Sequence, residues 1–193
     1  MTVAILIPAA GASRRMRGRD KLLEPVAGVP LLARQAAVAR ATGAEVLVTL
    51  PPGDPARRRA LSADQPVLTV ADAGTGLAAS LRAGVAALAW AEAVMILLAD
   101  LPEIGTDDLL ALIAAWRATP GQILRASAGT VPGHPVIFPR ALFGQFADLS
   151  GDRGARPILQ AHADSVRLFP LPGRRAITDL DTPEDWAAWR AGR

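Results

Sequence analysis

The chain lacks cysteine and has few histidines and aromatic residues. Without cysteine, disulfides, thiolate catalysis and cysteine-bound zinc are all excluded. The two histidines, His134 and His162, are too far apart in the chain for a helical His-x-x-x-His metal site. Aromatic residues make up only 4% of the chain, so the row of base-stacking side chains found in single-strand nucleic-acid binders is missing.

Long apolar runs and a large charge excess are missing as well. No apolar run reaches the roughly 18 residues of a membrane span, and no basic segment precedes an apolar core at the N-terminus, which argues against a signal peptide. The net charge is only +3, less than a nucleic-acid-binding surface usually carries. We therefore expect a soluble cytoplasmic protein that binds neither nucleic acid nor membrane. The arginine run at 57–59 is expected to be a solvated helix face.

The remaining composition favours one well-packed domain over residues 1–193. The chain is 51% hydrophobic, enough for a sizeable core. Strand patterns alternate with helical patterns, which favours a parallel, doubly wound sheet between layers of helices. The predicted strands are 3–7, 45–50, 66–70, 94–98, 122–126, 135–138 and 166–169. The predicted helices are 30–42, 54–63, 76–90, 106–119, 139–149, 155–163 and a last one that starts at Thr182.

The loop after the first strand combines small residues, arginines and the only lysine. Of 21 lysines and arginines, 20 are arginines, so Lys21 is an exception that suits a phosphate held by a compact point charge. Small residues let backbone N–H groups approach an anion closely. The loop is neither a Walker A loop nor a dinucleotide fingerprint, and a basic surface loop is the alternative. We predict that a nucleotide phosphate binds at Ala9, Ala10, Gly11, Ser13, Arg15 and Lys21.

Three aspartates are candidate metal ligands, because ligands of such sheets bind beyond the carboxyl ends of the strands. Asp100 follows the most apolar strand, and Mg²⁺ takes one or two carboxylates together with phosphate oxygens. Asp179 and Asp181 would share one face of an extended segment, whereas a turn would leave only one of them on the metal. The alternatives are a turn cap for Asp100 and helix-start acids for the pair.

Three further segments are weaker evidence for a binding site when each is taken alone. A Gly-Thr-Gly turn opens the predicted helix 76–90, which places Gly76 and Ser80 where they could meet a nucleotide. Two turn-rich segments, Gly133-His134-Pro135 and the stretch 151–156, follow later in the chain. A lone histidine is more often a structural hydrogen-bonding group than a catalyst, so the pattern alone leaves the role of His134 open.

Together these segments resemble the nucleotidyltransferases that mature the molybdenum cofactor, in particular the cytidylyltransferase branch. The first motif is shared by many sugar-phosphate and isoprenoid-pathway nucleotidyltransferases, whereas the Gly-His-Pro and Gly-Asp-x-Gly-Ala-Arg segments point to the pterin branch. The resemblance is carried by Ala9-Ala10-Gly11-x-Ser13-x-Arg15-Met16 with Lys21-Leu22-Leu23, Gly76-Leu77-Ala78-Ala79-Ser80-Leu81-Arg82, Ala99-Asp100-Leu101-Pro102, Gly133-His134-Pro135-Val136, Gly151-Asp152-x-Gly154-Ala155-Arg156 and Asp179-Leu180-Asp181-Thr182-Pro183-Glu184-Asp185.

The resemblance implies a Rossmann-like, GT-A-like α/β/α fold in three layers, with a mostly parallel mixed sheet. It also implies Mg²⁺-dependent transfer of CMP from CTP to the terminal phosphate of the molybdopterin cofactor, with release of pyrophosphate. The implied catalytic residues are Arg15, Lys21 and Asp100; the implied metal ligands are Asp100 with Asp179 or Asp181. Gly76 and Ser80 would contact the nucleotide, Ser80 at its base or ribose. The implied acceptor-binding residues are His134, Asp152 and Arg156.

The choice of nucleotide and acceptor has alternatives. Ala9-Ala10-Gly11 is similar to the CTP-using branch, whereas the GTP-using branch carries an extra glycine. The chain departs from the family pattern at two positions. Pro8 stands where a small or apolar residue is usual, and Arg17 stands where glycine is usual. GTP as donor, a sugar phosphate or methylerythritol phosphate as acceptor, a non-catalytic carrier of the pterin cofactor and a regulatory nucleotide-binding module remain open. A molybdoenzyme client is a further candidate partner.

Overall fold

The computed structural model describes residues 1–192, which contain nine strands and six α-helices. The strands are β1 (Val3–Pro8), β2 (Pro25–Val26), β3 (Val29–Pro30), β4 (Val46–Leu50), β5 (Val67–Thr69), β6 (Ala93–Ile96), β7 (Ile123–Ala128), β8 (Val131–Pro139) and β9 (Val166–Pro170). The helices are α1 (Leu31–Arg40), α2 (Pro55–Ala60), α3 (Leu77–Ala87), α4 (Thr106–Ala118), α5 (Arg156–Ala161) and α6 (Pro183–Ala191).

Seven strands form one mixed sheet in the order β5-β4-β1-β6-β8-β7-β9. The strand β8 is antiparallel to both of its neighbours, and every other pair is parallel. Six strands therefore end at the same edge, and β8 begins there. This arrangement confirms the predicted α/β fold with a mostly parallel mixed sheet, and it places the predicted loops at one edge.

The core lies on both faces of this sheet, as a three-layer fold requires. Along β1, Ile5 packs into one cluster with Leu32 of α1, while Leu6 packs into the other with Leu81 of α3. A Cβ atom on Gly84 would lie 2.4 Å from a methyl carbon of Leu6, so this glycine lets α3 approach β1 closely. Strands covered on both faces are apolar throughout, which explains why β1 was recognisable from its sequence.

Two predicted helices differ from the structure, and one hairpin was not predicted. The predicted helix 139–149 is a run of 3-10 turns, Arg140–Asp148, and Gly144 within it disfavours an α-helix. Phe146 of this run packs edge-to-face on Phe138, with ring centroids 5.2 Å apart. The predicted helix 76–90 ends at Ala87. The hairpin β2–β3 was not predicted, because strands of two residues carry no periodic signal.

Within residues 1–192, no helix is both long and apolar enough to cross a bilayer.

Candidate active site

A cleft of about 890 Å³ opens at the edge where the parallel strands end. It lies between the loop after β1, the start of α3, the loop after β6 and the segment before α6. Its lining includes ten of the predicted site residues: Ala9, Ala10, Gly11, Ser13, Arg15, Lys21, Gly76, Asp100, Asp152 and Asp181. Another cavity, of about 610 Å³, lies at the opposite edge of the sheet and contains none of the predicted residues.

The loop after β1 offers backbone donors to this cleft. The N–H of Ala9 donates to the carbonyl oxygen of Thr49 at 3.0 Å and so continues the sheet for one more residue. The next N–H groups, at residues 10–13, form no hydrogen bond in the part of the chain that the structure describes. Ser13 has φ 49° and ψ 35°, a left-handed conformation of the kind that forms anion-binding nests. A Cβ on Gly11 would meet no atom within 4 Å, so the space beside the loop is open.

Arg57 lies beneath this loop, and its prediction as part of a solvated face was wrong. Its side chain is only 4% exposed, while Arg59 of the same run is exposed. Nη1 donates to the carbonyl oxygens of Ala9 and Gly11, at 2.7 Å each. Nε and Nη2 donate to the carboxylate of Asp20 at 2.6 and 2.9 Å. The available signal was geometric, since three consecutive residues of a packed helix cannot all face solvent.

Lys21 joins two loops through the carboxylates predicted to bind metal. Its Nζ lies 2.5 Å from Oδ2 of Asp100 and 2.7 Å from Oδ1 of Asp181. Arg15 reaches the other oxygen of Asp181 from the solvent side, with Nη1 at 2.6 Å from Oδ2. Burial lowers the pKa of Lys21, but the charges and hydrogen bonds of the two carboxylates outweigh burial, so its pKa is raised. The lysine is therefore fully charged at neutral pH.

Asp100 and Asp181 fit a hard cation such as Mg²⁺. Oδ1 of Asp100 is buried and has no hydrogen-bond partner among the residues that the structure describes, so one lone-pair face is available. The ammonium of Lys21 already occupies a cationic position between the two carboxylates. No cluster of three or more histidine, aspartate or glutamate side chains suited to a metal occurs in residues 1–192. Two carboxylates leave the other positions of the metal to water and phosphate oxygens, as is usual for Mg²⁺.

Asp179 is placed less favourably than Asp181. It is exposed and does not line the cleft. Its pKa is raised by partial burial and by the negative charges of Asp100 and Asp181, which places it near the carboxylate pair. The intervening Leu180 is buried, and its N–H donates to the carbonyl oxygen of Asp100 at 3.2 Å. This bond attaches the segment before α6 to the loop after β6.

The first turn of α3 is capped by the chain itself. The N–H of Leu77 donates to Oδ1 of Asp152 at 3.2 Å, and the N–H of Ala78 donates to the carbonyl oxygen of Gly151 at 3.0 Å. A Cβ on Gly76 would lie 2.5 Å from the backbone of Gly151, so only glycine permits this contact. These two N–H groups are therefore already satisfied. Ser80 is only 2% exposed and lies outside the cleft lining, so the geometry does not support its predicted contact with the nucleotide.

The Gly-His-Pro segment lies outside the cleft lining, at the start of β8. A Cβ on Gly133 would lie 2.1 Å from the carbonyl oxygen of Ala176, and the N–H of His134 donates to that oxygen at 2.8 Å. Arg125 donates from Nε to the carbonyl oxygen of Gly133 at 2.9 Å. Nδ1 of His134 is buried without a partner. Burial, and then the charge of Arg125, lower the pKa of His134 to about 4, so the ring is neutral at physiological pH.

Two further residues discussed from the sequence, Arg156 and Arg17, are exposed and do not line the cleft. Arg156 is exposed in the first turn of α5 and does not line the cleft; its positive charge, after burial, contributes to a lowered pKa of Arg125. Arg17 has φ 52°, a left-handed conformation that glycine adopts without strain. The backbone here thus keeps the shape for which the family pattern has glycine, and Gly18 with φ 91° continues it.

Residues 5–166 match the model of the MobA-like NTP transferase domain. The chain belongs to this family. It is therefore a nucleotidyltransferase, and the cleft at the carboxyl edge of its sheet is the candidate active site.

Known proteins are similar to the chain over different shares of its length. The chain is 39% identical to the molybdenum cofactor guanylyltransferase of Rhodobacter capsulatus, over 96% of this chain and 88% of that protein. It is 35% identical to the bifunctional protein GlmU of Geobacter sulfurreducens over 61% of this chain, which spans only 25% of GlmU. The crystal structure of Rv0371c from Mycobacterium tuberculosis superimposes with a TM-score of 0.82 at 30% identity, covering 97% of both chains. Rv0371c has also been solved in complex with manganese; that structure gives a TM-score of 0.78 at 28% identity, again over 97% of both chains.

Proposed function

We propose that the protein transfers CMP from CTP to the terminal phosphate of the molybdopterin cofactor and releases pyrophosphate. The observation that carries this proposal is the position of Lys21 between Asp100 and Asp181, beside a loop with unpaired N–H groups. This combination supplies cations and donors for a triphosphate and carboxylates for its metal. The guanylyltransferase relative supports the pterin acceptor, and the Ala9-Ala10-Gly11 sequence, without an extra glycine, favours CTP.

The triphosphate would lie along the loop after β1. The unpaired N–H groups at residues 10–13 can bind phosphate oxygens without competition from other protein acceptors. Arg15 is exposed and flexible enough to exchange Asp181 for a phosphate. Lys21 would supply the positive point charge for the phosphates, because its side chain extends from the loop to the two carboxylates.

Asp100 and Asp181 would hold Mg²⁺, and the existence of a manganese complex of the relative Rv0371c supports the use of a divalent cation. When bound, the cation would neutralise phosphate charge at the reacting centre. The ammonium of Lys21 would then turn toward the phosphates, since both cations would draw on the charge of the same two carboxylates. This movement requires only rotation of the lysine side chain, whose four-carbon stem is flexible.

The reaction itself needs no covalent intermediate with the protein. An oxygen of the acceptor phosphate attacks the α-phosphorus of CTP, a new P–O bond forms, and the bond to the bridging oxygen of the β-phosphate breaks. The electron pair leaves with pyrophosphate. Such transfers depend mainly on positioning and on charge neutralisation, which are the two properties that the cleft provides.

The acceptor would approach from the side of Asp152, which lines the cleft next to Gly76. His134 and Arg156 lie beyond the lining, where they would meet the part of the acceptor that extends out of the cleft. A neutral His134 would serve there as a hydrogen-bonding group rather than as an acid.

The decisive experiment is a pyrophosphate-release assay with purified molybdenum cofactor and each of CTP, GTP, UTP and ATP. We expect release that requires the cofactor, is fastest with CTP and stops when the divalent cation is chelated. GTP is the second candidate donor, since a relative that aligns with 96% of the chain is a molybdenum cofactor guanylyltransferase. Faster release with GTP would replace CTP in the proposal. Cofactor binding without release from any nucleotide would identify a carrier and overturn the proposal.

A further inference from the structure

Arg57 is a buried cation that borders the cleft but has no direct part in the reaction described above. Each of its five N–H bonds has an acceptor within the protein. Nη1 donates to two carbonyl oxygens, of Ala9 and Gly11, at 2.7 Å each. Nε and Nη2 donate to Asp20 at 2.6 and 2.9 Å, and Nη2 also reaches Oγ of Ser13 at 3.3 Å. No donor is left over for a substrate, so the role of Arg57 lies in what it does to the loop.

The two carbonyl bonds determine the direction of two neighbouring N–H groups. In a planar trans peptide the C=O and N–H bonds point in opposite directions. When Arg57 draws the carbonyl oxygen of residue 9 inward, the N–H of Ala10 must point outward, and the bond to residue 11 does the same for Ala12. Both Ala10 and Ala12 line the cleft, and both N–H groups lack a partner among residues 1–192.

The ion pair between Arg57 and Asp20 connects the two ends of the loop. Asp20 accepts hydrogen bonds from Oγ of Ser13 and from the N–H of Leu22, each at 3.0 Å. In the chain, Lys21 lies between Ser13 and Leu22, whose positions these two hydrogen bonds fix. Through Asp20, Arg57 therefore holds the start of the loop, its end and the backbone of Lys21 in one arrangement.

We propose that Arg57 is a positioning residue for the triphosphate. It aims the N–H groups of Ala10 and Ala12 into the cleft and fixes the backbone that carries Lys21, without touching the substrate. The planar guanidinium is required, because a lysine ammonium has three donors from one point and cannot bridge acceptors on opposite sides. This inference rests on the proposed function only for its phosphate ligand and does not depend on the acceptor.

The test compares Arg57→Lys and Arg57→Met with a matched control, Arg59→Lys, on the exposed side of the same helix. Binding of inorganic tripolyphosphate and of CTP is measured by calorimetry, initial rates give the KM values of both substrates, and urea unfolding reports stability. We expect Arg57→Lys to weaken tripolyphosphate binding and raise the KM for CTP by about tenfold or more, by analogy with other lost anion contacts. The KM for the acceptor should stay within about twofold, and Arg59→Lys should match the wild type.

Two outcomes would overturn the inference. One is wild-type affinity for tripolyphosphate in a folded Arg57→Lys protein, since the loop would then be organised without the guanidinium. The other is an equal rise of both KM values, which would indicate a general structural role. If Arg57→Met fails to fold, Arg57→Lys still decides, because it retains the charge and most of the volume. Failure of pyrophosphate release in the wild type would remove the proposed function, while a loss of tripolyphosphate binding in Arg57→Lys would still support the inference.

Discussion

Lys21 and Asp100 are 79 residues apart in the chain, yet their charged atoms lie 2.5 Å from each other at the mouth of the cleft. The same ammonium also contacts Asp181. A cation of the chain therefore already lies between the two carboxylates that we propose as metal ligands. In that proposal, the ammonium and a metal ion arriving with the nucleotide would in turn balance the negative charge of the site.

Replacement of Lys21 by alanine should separate metal binding from turnover. We expect turnover to fall by about 10²- to 10³-fold, because a charge that stabilises the phosphates is lost. In the same variant, Mn²⁺ without nucleotide should bind more tightly than in the wild type, since the competing ammonium is gone. Pyrophosphate release and the Mn²⁺ EPR signal measure the two effects. Arg17→Ala is the control, because the salt bridge that Arg17 forms within residues 1–192 is to the exposed Glu184. Near-normal activity of Lys21→Ala would contradict its assignment.

Asparagine substitutions should rank the three candidate metal ligands. Asp100→Asn removes a carboxylate that lines the cleft and has a free, buried oxygen, so we expect a loss of about 10²-fold or more in kcat. Asp181→Asn should also lower kcat strongly. Asp179→Asn should cost less than about tenfold, because Asp179 is exposed outside the lining. Initial rates over a range of Mg²⁺ concentrations measure the effects, and equal losses at 179 and 181 would contradict the ranking.

The low pKa of His134 predicts a loss of stability in acid. Its pKa is about 4 in the folded protein, below the ordinary 6.5, because burial and Arg125 oppose the charged ring while Asp100 favours it. The neutral ring stabilises the fold fully above pH 6.5, and this contribution is lost as the pH falls from 6.5 toward 4. Between pH 7 and pH 4.5 the cost is about 2 kcal/mol. Urea unfolding at these two pH values should show that much less acid destabilisation in His134→Gln; an unchanged difference would contradict a neutral, buried ring.

Alanine substitutions at two glycines should affect different properties: stability at Gly133 and nucleotide affinity at Gly11. Gly133→Ala places a methyl group 2.1 Å from the carbonyl oxygen of Ala176, so we expect the free energy of unfolding to drop by about 2 kcal/mol or more. Gly11→Ala meets no atom within 4 Å and should leave stability within about 0.5 kcal/mol. The methyl group of alanine at position 11 would protrude into the cleft, so nucleotide affinity should fall. Urea unfolding and CTP calorimetry test both halves, and a stable Gly133→Ala protein would argue against the close packing.

The sequence was sufficient for the sheet and for the main charges of the cleft, and for a physical reason. Buried parallel strands such as β1 and β6 are continuous apolar runs, and the polar residues that follow them must collect at one edge. Lys21 and Asp100 could therefore be placed together before any coordinates were known. Asp181 was one of two alternatives, and the structure brings it rather than Asp179 to the lysine.

Other features depended on contacts between distant segments. Arg57 belongs to an arginine run that has the composition of a surface, and only the packing of α2 beneath the loop after β1 shows which arginine turns inward. Ser80 was placed near the base or ribose because a helix start with a hydroxyl group follows the third predicted strand, yet the start of α3 is covered by residues 151–152. No local pattern in either segment reports the other, so neither result could be read from sequence.

The contact between Gly76 and Gly151 joins the two halves of the cleft mechanically. Gly76 at the start of α3 and Asp152 both line the cleft; in our proposal the first lies on the nucleotide side and the second on the acceptor side. The backbones of Gly76 and Gly151 touch without space for even one methyl group, so a displacement of one segment would press on the other. If each substrate shifts the segment that it contacts, thermodynamic reciprocity requires each to change the affinity for the other by the same factor. Any coupling of the two proposed binding events would therefore pass through the glycine at position 76.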